Sequence, residues 1–435
     1  MRDLLLSFKA TAILQFLNLG TGVLVARLLL PEGRGELALV MLWPLLLLAI
    51  ASLSIDQAVS FNASRARDRS GRIVASAFLL AGGLGLASIP PGLLALEFAY
   101  RGERAALHEL AVAYFLLLAL VNAAGAAAAS GLVALGKVGT WNLLRVLQPT
   151  LYLAALLLLA LLDAVAVRTV LATNLAAALL CGLLAIALVW RAATPPRRPD
   201  RQALVAVAGY AAKVHLGSLA EIVGSRLDQI VIAALLAPRD LGLYVVAATL
   251  AGALGLISQT LVPLAFPRAA AQREQAGRLQ VLGRYLRLAT ALAAGGAVAV
   301  VLLAPWLLSL LFGEAYAVAA DVTRILALAT CLRVVRGLLA HGIKALGRPG
   351  LVSRLTWFAL PVSLLSVAGL ASLYGLLGAA AGVVAGEAAA VALLLLALKR
   401  ERLGSPLALM TPSRDDWHYL RARLGRRPGD AGRPA

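Results

Sequence analysis

Ionisable residues inside long apolar stretches are the positions of this sequence most able to do chemistry. One stretch carries Arg333 and Arg336, about one helical turn apart, and a later stretch carries Glu387. A charge at the centre of a bilayer costs at least about 2.5–3.5 kcal/mol, so a membrane protein keeps few of them without a purpose. Because an arginine fork fits phosphate oxygens or a carboxylate, both arginines are candidates for anion binding or for a buried ion pair with Glu387.

A second group of charges follows steps of three and four residues in an earlier stretch. Lys213, Glu221 and Asp228 share this spacing with two glycines, which predicts one stripe on a single helix. Lys213 is the next candidate for contact with an anion. Glu221, Glu387 and Asp228, together with Arg226, are candidates for ion coupling or for a buried ion pair, because a carboxylate at mid-depth can carry a proton unless an arginine neutralises it.

The composition places these charges in a membrane protein. Of 435 residues, 61% are hydrophobic and only 14% are charged, and the mean hydropathy is +0.88. Apolar runs of roughly 20 residues recur, which is the length that spans about 30 Å of hydrocarbon. They are continuous and rich in alanine and leucine, so they predict helices rather than a barrel. The predicted fold is an all-α polytopic membrane protein with about twelve transmembrane helices. The predicted spans are residues 5–30, 36–58, 73–96, 109–134, 141–162, 168–190, 207–236, 241–266, 284–311, 318–345, 351–373 and 376–398.

The predicted helices come in two copies. The motif A-x-L-L-x-P-x-x-x-G begins at Ala26 and again at Ala233, 207 residues later. The motif A-L-G-K/R-x-G begins at Ala134 and again at Ala345, 211 residues later. Proline and glycine have geometric roles in such turns. The shared order and nearly constant offset predict two six-helix lobes related by a parallel internal repeat, with a site between them.

Charge and proline divide the chain. Three prolines and two arginines between residues 195 and 199 interrupt the helices. Arginine and lysine concentrate in alternate loops, which predicts that this segment and both termini are cytoplasmic. The same bias explains most of the net charge of +19, so no nucleic-acid partner is predicted. The predicted domains are the N-terminal lobe (1–190), a cytoplasmic linker (191–204), the C-terminal lobe (205–398) and a basic cytoplasmic tail (399–435).

Several phrases carry a family resemblance. The end of the first span reads Ala26-Arg27-Leu28-Leu29-Leu30-Pro31, similar to an "ARLLGP" phrase that leads through "GxY" into the second helix of polysaccharide flippases. Further similar phrases are Arg226–Ile230, Leu241–Tyr244, Phe266–Arg268, Leu311–Tyr316 and the two A-L-G-K/R turns. Over residues 1–400 the chain resembles the polysaccharide (O-antigen and exopolysaccharide) flippase family of the multidrug/oligosaccharidyl-lipid/polysaccharide (MOP) exporter superfamily.

The resemblance implies a function. It implies two lobes around a V-shaped cavity that opens alternately to each side of the bacterial cytoplasmic (inner) membrane. The implied cargo is a lipid-linked, polyprenyl-pyrophosphate oligosaccharide, and the implied partners are membrane lipids and other polysaccharide-assembly proteins. Arg333, Arg336 and Lys213 would suit its pyrophosphate.

Two other functions are weighed against this one. A multidrug exporter of cations would need an acidic or aromatic cavity, whereas here the charges lean positive and aromatics make up 6% of residues. A polysaccharide polymerase or ligase would need a large outer loop with catalytic residues, and the longest predicted outer loop is short. Since metal, nucleotide and nucleophile motifs are not found in the sequence, it predicts neither an enzyme nor a cofactor.

Overall fold

A computed structural model of the chain describes residues 2–272 and 274–401, and within them the regular secondary structure is helical. The α-helices of these residues are α1 (Arg2–Ala51), α2 (Ile55–Arg65), α3 (Ser70–Ala99), α4 (His108–Ala119), α5 (Asn122–Ala134), α6 (Val138–Leu161), α7 (Val167–Ala192), α8 (Arg201–Gly224), α9 (Leu227–Leu235), α10 (Pro238–Gly252), α11 (Gly255–Ala270), α12 (Gln275–Phe312), α13 (Ala320–Ala345) and α14 (Pro349–Arg400). Short 3-10 helices are Arg67–Arg69, Gly102–Leu107 and Glu314–Ala319. From residue 402 onward, the predicted basic tail lies outside the described residues.

The long apolar helices identify a multi-pass membrane protein. In the described residues, 7 helices are long and apolar enough to cross a membrane, or up to 9 if each of two bent pairs forms one span. The bent pairs are α4 with α5, at 42°, and α10 with α11, at 44°. The predicted all-helical polytopic class is therefore confirmed, while the fourth and eighth predicted spans are bent where straight helices were expected.

Two predicted spans are broken rather than continuous. The seventh, residues 207–236, ends as α8 at Gly224 and resumes as α9 at Leu227. The second, residues 36–58, is interrupted between Ala51 and Ile55. The prediction that Asp228 continues the stripe of Lys213 and Glu221 on one helix was therefore wrong. The break places Asp228 in the first turn of a separate helix, where it accepts a hydrogen bond from Tyr244 of α10 at 2.5 Å.

The helix α14 consists of two arms joined at Tyr374 and Gly375, whose backbone is not helical. Gly375 has φ +59°, which costs a glycine little. Gly378, Gly382 and Gly386 lie four residues apart on the second arm, and each packs against the first arm. A Cβ on Gly382 would lie 2.5 Å from Val367 Cα. Such small-residue stripes let helix backbones approach closely in membranes. The arms match the spans predicted at 351–373 and 376–398.

The helix α1 is also interrupted, at Leu30, which has φ 57° and ψ 176°. The following Pro31 disfavours the helical conformation for the residue before it, so the break falls where the sequence predicts the first span to end.

The duplicated A-L-G-K/R turns have the same local structure. In the first, the Gly136 amide donates to Val133 and the Lys137 amide donates to Leu132, at 3.0 and 2.8 Å. In the second, the Gly347 and Arg348 amides donate to Lys344 and Ile343 in the same pattern, at 3.0 and 3.2 Å. Gly136 and Gly347 have φ values of +77° and +84°. Both turns are therefore Schellman caps, which glycine permits because it accepts the left-handed conformation.

The linker after α7 is bound to the start of α3. Thr194 Oγ1 lies 2.9 Å from Ser70 Oγ, and a Cβ on Gly71 would overlap the Thr194 carbonyl oxygen. Asp200 caps α8 by accepting from the Ala203 amide at 2.7 Å, and it pairs with Arg72 at 3.3 Å. The backbone hydrogen bond from Ala203, assisted by Arg72, lowers the pKa of Asp200 below its usual value.

The chain forms two compact units. Among the described residues, the first comprises those up to Leu250 together with Leu303–Thr323 and Leu364–Gly382, and the second comprises Ala251–Leu302, Arg324–Ser363 and those from Val383 onward. Alanine dominates one buried core of the first unit, with Ala58, Ala77 and Ala127 almost fully buried, which brings helix axes close together. A core of larger side chains joins α12, α13 and α14 in the second unit: Leu286, Val334, Leu338, Val391 and Leu394.

Candidate functional site

The strongest candidate site is a cluster of two arginines and one glutamate in the second unit. Arg333 Nε donates to Glu387 Oε1 at 2.9 Å. Arg336 Nε donates to Glu387 Oε2 at 2.7 Å, and its Nη2 lies 3.5 Å from Oε1. The structure thus pairs Arg333 with Glu387, the ion-pair partner that the sequence suggests. Both carboxylate oxygens of Glu387 therefore accept from arginine.

The apolar faces of two helices hold this cluster in place. The neighbours of Arg333 on α13, Val334 and Val335, are almost fully buried in the core that also contains Val391 and Leu394 of α14. Beside Glu387, a Cβ on Gly386 would lie 2.5 Å from Ser363 Oγ on the first arm of α14. Packing on the buried faces thus fixes both backbones, and the charged residues occupy the remaining face of each helix.

The cluster keeps a positive charge and is partly open. Two guanidinium groups share one carboxylate, so the three side chains together carry one net positive charge when all are ionised. The side chain of Glu387 is 12% exposed, whereas those of Arg336 and Arg333 are 35% and 49% exposed. Arg333 is therefore the member of the cluster most accessible to an anion from outside it.

The candidates near the seventh predicted span lie apart from one another on two elements. Lys213 and Glu221 are exposed on α8, and in the described part of the chain neither forms an ion pair. Arg226 lies in the break before α9, where its Nη1 donates to Gln229 Oε1 at 3.3 Å. Asp228 accepts from Tyr244 and from the Gln229 amide. In the structure Arg226 and Asp228 therefore both contact Gln229, and Asp228 also contacts Tyr244.

A second notable contact joins the two copies of the first repeated motif, and we call it the repeat crossing: Pro31, Gly35, Pro238 and Gly242. A Cβ built on Gly35 would overlap the carbonyl oxygen of Pro238, and a Cβ built on Gly242 would overlap the carbonyl oxygen of Pro31. The Cβ on Gly35 would also lie 3.0 Å from Gly242 N, and the Cβ on Gly242 would lie 2.8 Å from Gly35 N. The contact is therefore reciprocal, and each glycine allows the backbones to touch.

Hydrogen bonds to helix ends surround the repeat crossing. Tyr316 Oη donates to the Ala26 carbonyl at 3.1 Å. Arg104 Nη2 donates to the Ala234 carbonyl at 3.2 Å. Arg104 and Tyr316 belong to the 3-10 helices Gly102–Leu107 and Glu314–Ala319, one in each predicted lobe. Each of these segments thus binds the end of the helix that carries the first motif in the other lobe.

Two arginines near the repeat crossing have roles that the sequence did not reveal. Arg27 donates to the Leu311 carbonyl at 2.7 Å and to the Leu310 carbonyl, which caps α12. Arg34 has a buried Nε with no hydrogen-bond partner among the described residues, and its electrostatic neighbours are Tyr152 and Tyr316. In the sequence, the one indication of a role for Arg34 is its position directly before Gly35 of the repeated motif.

Comparison with protein families agrees with the resemblance seen in the motifs. Residues 2–271 match the profile of a family described as "Polysaccharide biosynthesis protein". No curated protein sequence matches the chain.

Several solved structures of MOP superfamily transporters have a fold similar to that of this chain. An inward-facing multidrug resistance MATE family transporter has a TM-score of 0.73 at 16% identity, covering 91% of this chain and 98% of its own. The lipid II flippase MurJ, in an inward closed conformation, has a TM-score of 0.74 at 11% identity, covering 91% and 87%. A MOP superfamily transporter from Pyrococcus furiosus, described as having a binding pocket of reverse polarity, has a TM-score of 0.61 at 16% identity, covering 94% and 95%. These similarities show that the chain has the fold of these proteins, as the resemblance implies.

Proposed function

This chain belongs to the polysaccharide biosynthesis protein family, and from that membership we propose that it is a flippase for a lipid-linked oligosaccharide. The cargo would be a polyprenyl-pyrophosphate oligosaccharide, moved from the cytoplasmic to the outer leaflet of a bacterial cytoplasmic membrane by alternating access. Membrane lipids and other polysaccharide-assembly proteins are the proposed partners. The single observation that carries the proposal is the net positive Arg333–Arg336–Glu387 cluster within apolar helices.

We propose twelve spans in two six-helix lobes, residues 1–190 and 205–398, separated by the linker 191–204. The helices α1 and α14 have 50 and 52 residues, and a backbone break divides each into two arms long enough to cross about 30 Å. The helix α13 is 26 residues long, which suffices for a span, although its five charged residues make it less apolar than the other candidates. The nine candidate spans already include α1 and α14, so counting each of these two twice gives eleven, and adding α13 gives twelve.

The charge balance of the cluster favours an anionic cargo. A pyrophosphate is at least dianionic, and a site with one surplus guanidinium would attract it. Arg336 is less exposed and contacts both oxygens of Glu387, so we assign it to holding the carboxylate. Arg333 is half-exposed and is the most exposed member of the cluster, so we assign it to the phosphate. Glu387 then positions both arginines.

Lys213, Glu221, Asp228 and Arg226 have more peripheral proposed roles. Lys213 is exposed on α8 and is a second candidate for contact with the pyrophosphate. Glu221 is an exposed carboxylate without an ion pair among the described residues, which suits a coupling ion better than the hydrogen-bonded Asp228 does. Arg226 and Asp228 would instead maintain the break between α8 and α9.

The proposal predicts that losing the charge of Arg333 stops transport without unfolding the protein. A charge-assisted contact contributes roughly 1.5–3 kcal/mol, so Arg333→Gln should weaken cargo binding by roughly ten- to a hundredfold. Arg333→Lys should retain part of the activity because it keeps the charge but loses the fork. The measurements are the flipping of a short polyprenyl-pyrophosphate oligosaccharide in proteoliposomes and surface glycan in cells, each normalised to protein in the membrane.

A charge-matched control is available on the same helix. Lys344→Gln removes one positive charge near the end of α13 and should leave flipping unchanged. A stable Arg333→Gln protein that flips cargo normally would refute the phosphate role. If the Arg333→Gln protein disappears and Glu387→Gln restores both its level and its transport, Arg333 is only a structural partner of Glu387.

Multidrug export is the second candidate function, because a multidrug MATE transporter shares the fold. An exporter of cations should be impaired by surplus positive charge at its site. If the unchanged protein does not flip the oligosaccharide, and Arg333→Gln improves resistance to a cationic dye, multidrug export would be favoured over the flippase.

A further inference from the structure

The repeat crossing has the geometry of a gate. It joins equivalent residues of the two copies of one motif, and its contacts are reciprocal: Gly35 with Pro238, and Gly242 with Pro31. A transporter whose path runs between two lobes can be closed at one end only by a contact between those lobes. We propose that the repeat crossing is the closed outer gate of this transporter, and that it opens when the backbones at Gly35 and Gly242 separate.

The chemistry of the contact suits repeated opening. The two helices touch through backbone atoms, so no side chains must interdigitate or change rotamer when they part. The stabilising groups are hydrogen bonds at the edge: Tyr316 to Ala26, Arg104 to Ala234, and Arg27 to the end of α12. Each bond has a carbonyl as acceptor and can be exchanged for water, which limits the free energy needed to open the gate.

The position of the contact agrees with an outer gate. The repeat crossing lies just after the break in α1 and at the start of α10, and the distribution of arginine and lysine predicts the outer side for both. The inference concerns the path and not the cargo, so a normal result with Arg333 variants would leave it standing.

The test uses accessibility from outside the cell. Ala26 is fully buried and its carbonyl is bound by Tyr316, so Ala26→Cys in a background with Cys181→Ala and Cys331→Ala reports on closure. An impermeant methanethiosulfonate reagent should label this cysteine slowly in the otherwise unchanged protein. Gly35→Ala or Gly242→Ala should raise the labelling rate roughly tenfold, which corresponds to about 1.4 kcal/mol in the closing equilibrium.

A matched control and a double variant sharpen the test. Gly22→Ala changes another glycine of α1, whose Cβ would lie 4.0 Å from Thr249 Cγ2 in ordinary van der Waals contact, so the labelling rate should not change. Because Gly35 and Gly242 meet at one contact, Gly35→Ala with Gly242→Ala should label little faster than either alone.

Two kinds of result would contradict the gate. Stable Gly35→Ala and Gly242→Ala proteins that label as slowly as Gly22→Ala would overturn the proposal, as would faster labelling only from the cytoplasmic side. If neither glycine variant inserts, Tyr316→Phe removes one hydrogen bond without adding bulk and should label a few times faster. An unchanged rate in Tyr316→Phe would then count against the gate.

Discussion

Leu30 holds a backbone conformation that an ordinary side chain rarely adopts. Its φ of 57° and ψ of 176° fall in a region used almost only by glycine, at a cost of roughly 1–3 kcal/mol. In the "ARLLGP" motif of polysaccharide flippases, which residues 26–31 resemble, glycine occupies the position of Leu30. The Leu30 side chain is 57% exposed, so removing it sacrifices little packing. We expect Leu30→Gly to raise the free energy of unfolding by about 1 kcal/mol, after the entropy that glycine adds to the unfolded chain.

Thermal unfolding in detergent, followed by thiol or intrinsic fluorescence, measures this change. Leu29→Gly is the matched control because Leu29 precedes the break and is helical, so glycine there should lower the melting temperature. A Leu30→Gly protein that melts as early as Leu29→Gly would show that the backbone at residue 30 is not strained.

Single residues also show where sequence reasoning reaches its limit. Arg333, Arg336 and Glu387 could be identified because a charge within an apolar helix is unusual whatever surrounds it. Arg27 and Arg34 could not, because their positions depend on which distant segment packs beside the end of α1. The acceptors of Arg27 lie more than 280 residues away, and local spacing carries no information about such contacts.

At the scale of elements, the two arms of α14 depend on glycine. A Cβ on Gly382 would lie 2.5 Å from Val367 Cα, and backbone cannot move aside as a flexible side chain can. We expect Gly382→Ala to separate the arms and to lower the free energy of unfolding by roughly 1–3 kcal/mol. Thermal stability and the fraction of monodisperse protein after extraction are suitable measurements.

The first arm supplies the control for this substitution. Gly369 is helical and a Cβ there would meet nothing within 4 Å, so Gly369→Ala should be neutral or stabilising by up to about 1 kcal/mol. Equal effects of the two substitutions would indicate that helix propensity, rather than contact between the arms, determines the result.

The existence of these elements was predictable, but their interruptions were predictable only in part. The arms of α14 and the break at Leu30 were located because apolar runs end at Gly375 and Pro31. The break between α8 and α9 was missed because the sequence continues the apolar and charged spacing through it. A tertiary hydrogen bond from Tyr244 to Asp228 accompanies that break, and no local pattern encodes it.

At the scale of the whole molecule, orientation is the property that the proposed direction of transport requires. The arginine distribution predicts that the linker is cytoplasmic and that the segment Gly102–Leu107 is outside. In the background lacking Cys181 and Cys331, Pro199→Cys should resist an impermeant thiol reagent in intact cells, whereas Ala106→Cys should react. Both positions are exposed, so a difference in labelling would report the side of the membrane.

Permeabilised cells provide the control, since both cysteines should then react. The opposite pattern in intact cells would invert the topology and place the repeat crossing on the cytoplasmic side.

The contacts between the linker and α3 also have a consequence for folding during synthesis. Thr194 and Asp200 contact Ser70, Gly71 and Arg72, all of which leave the ribosome before the second lobe begins. The first lobe and its linker can therefore complete their mutual contacts while the ribosome is still translating the rest, in keeping with the tendency of N-terminal units to fold during synthesis. The six predicted spans of the first lobe would then be folded in the membrane before the second lobe is complete, and the second lobe would assemble against them.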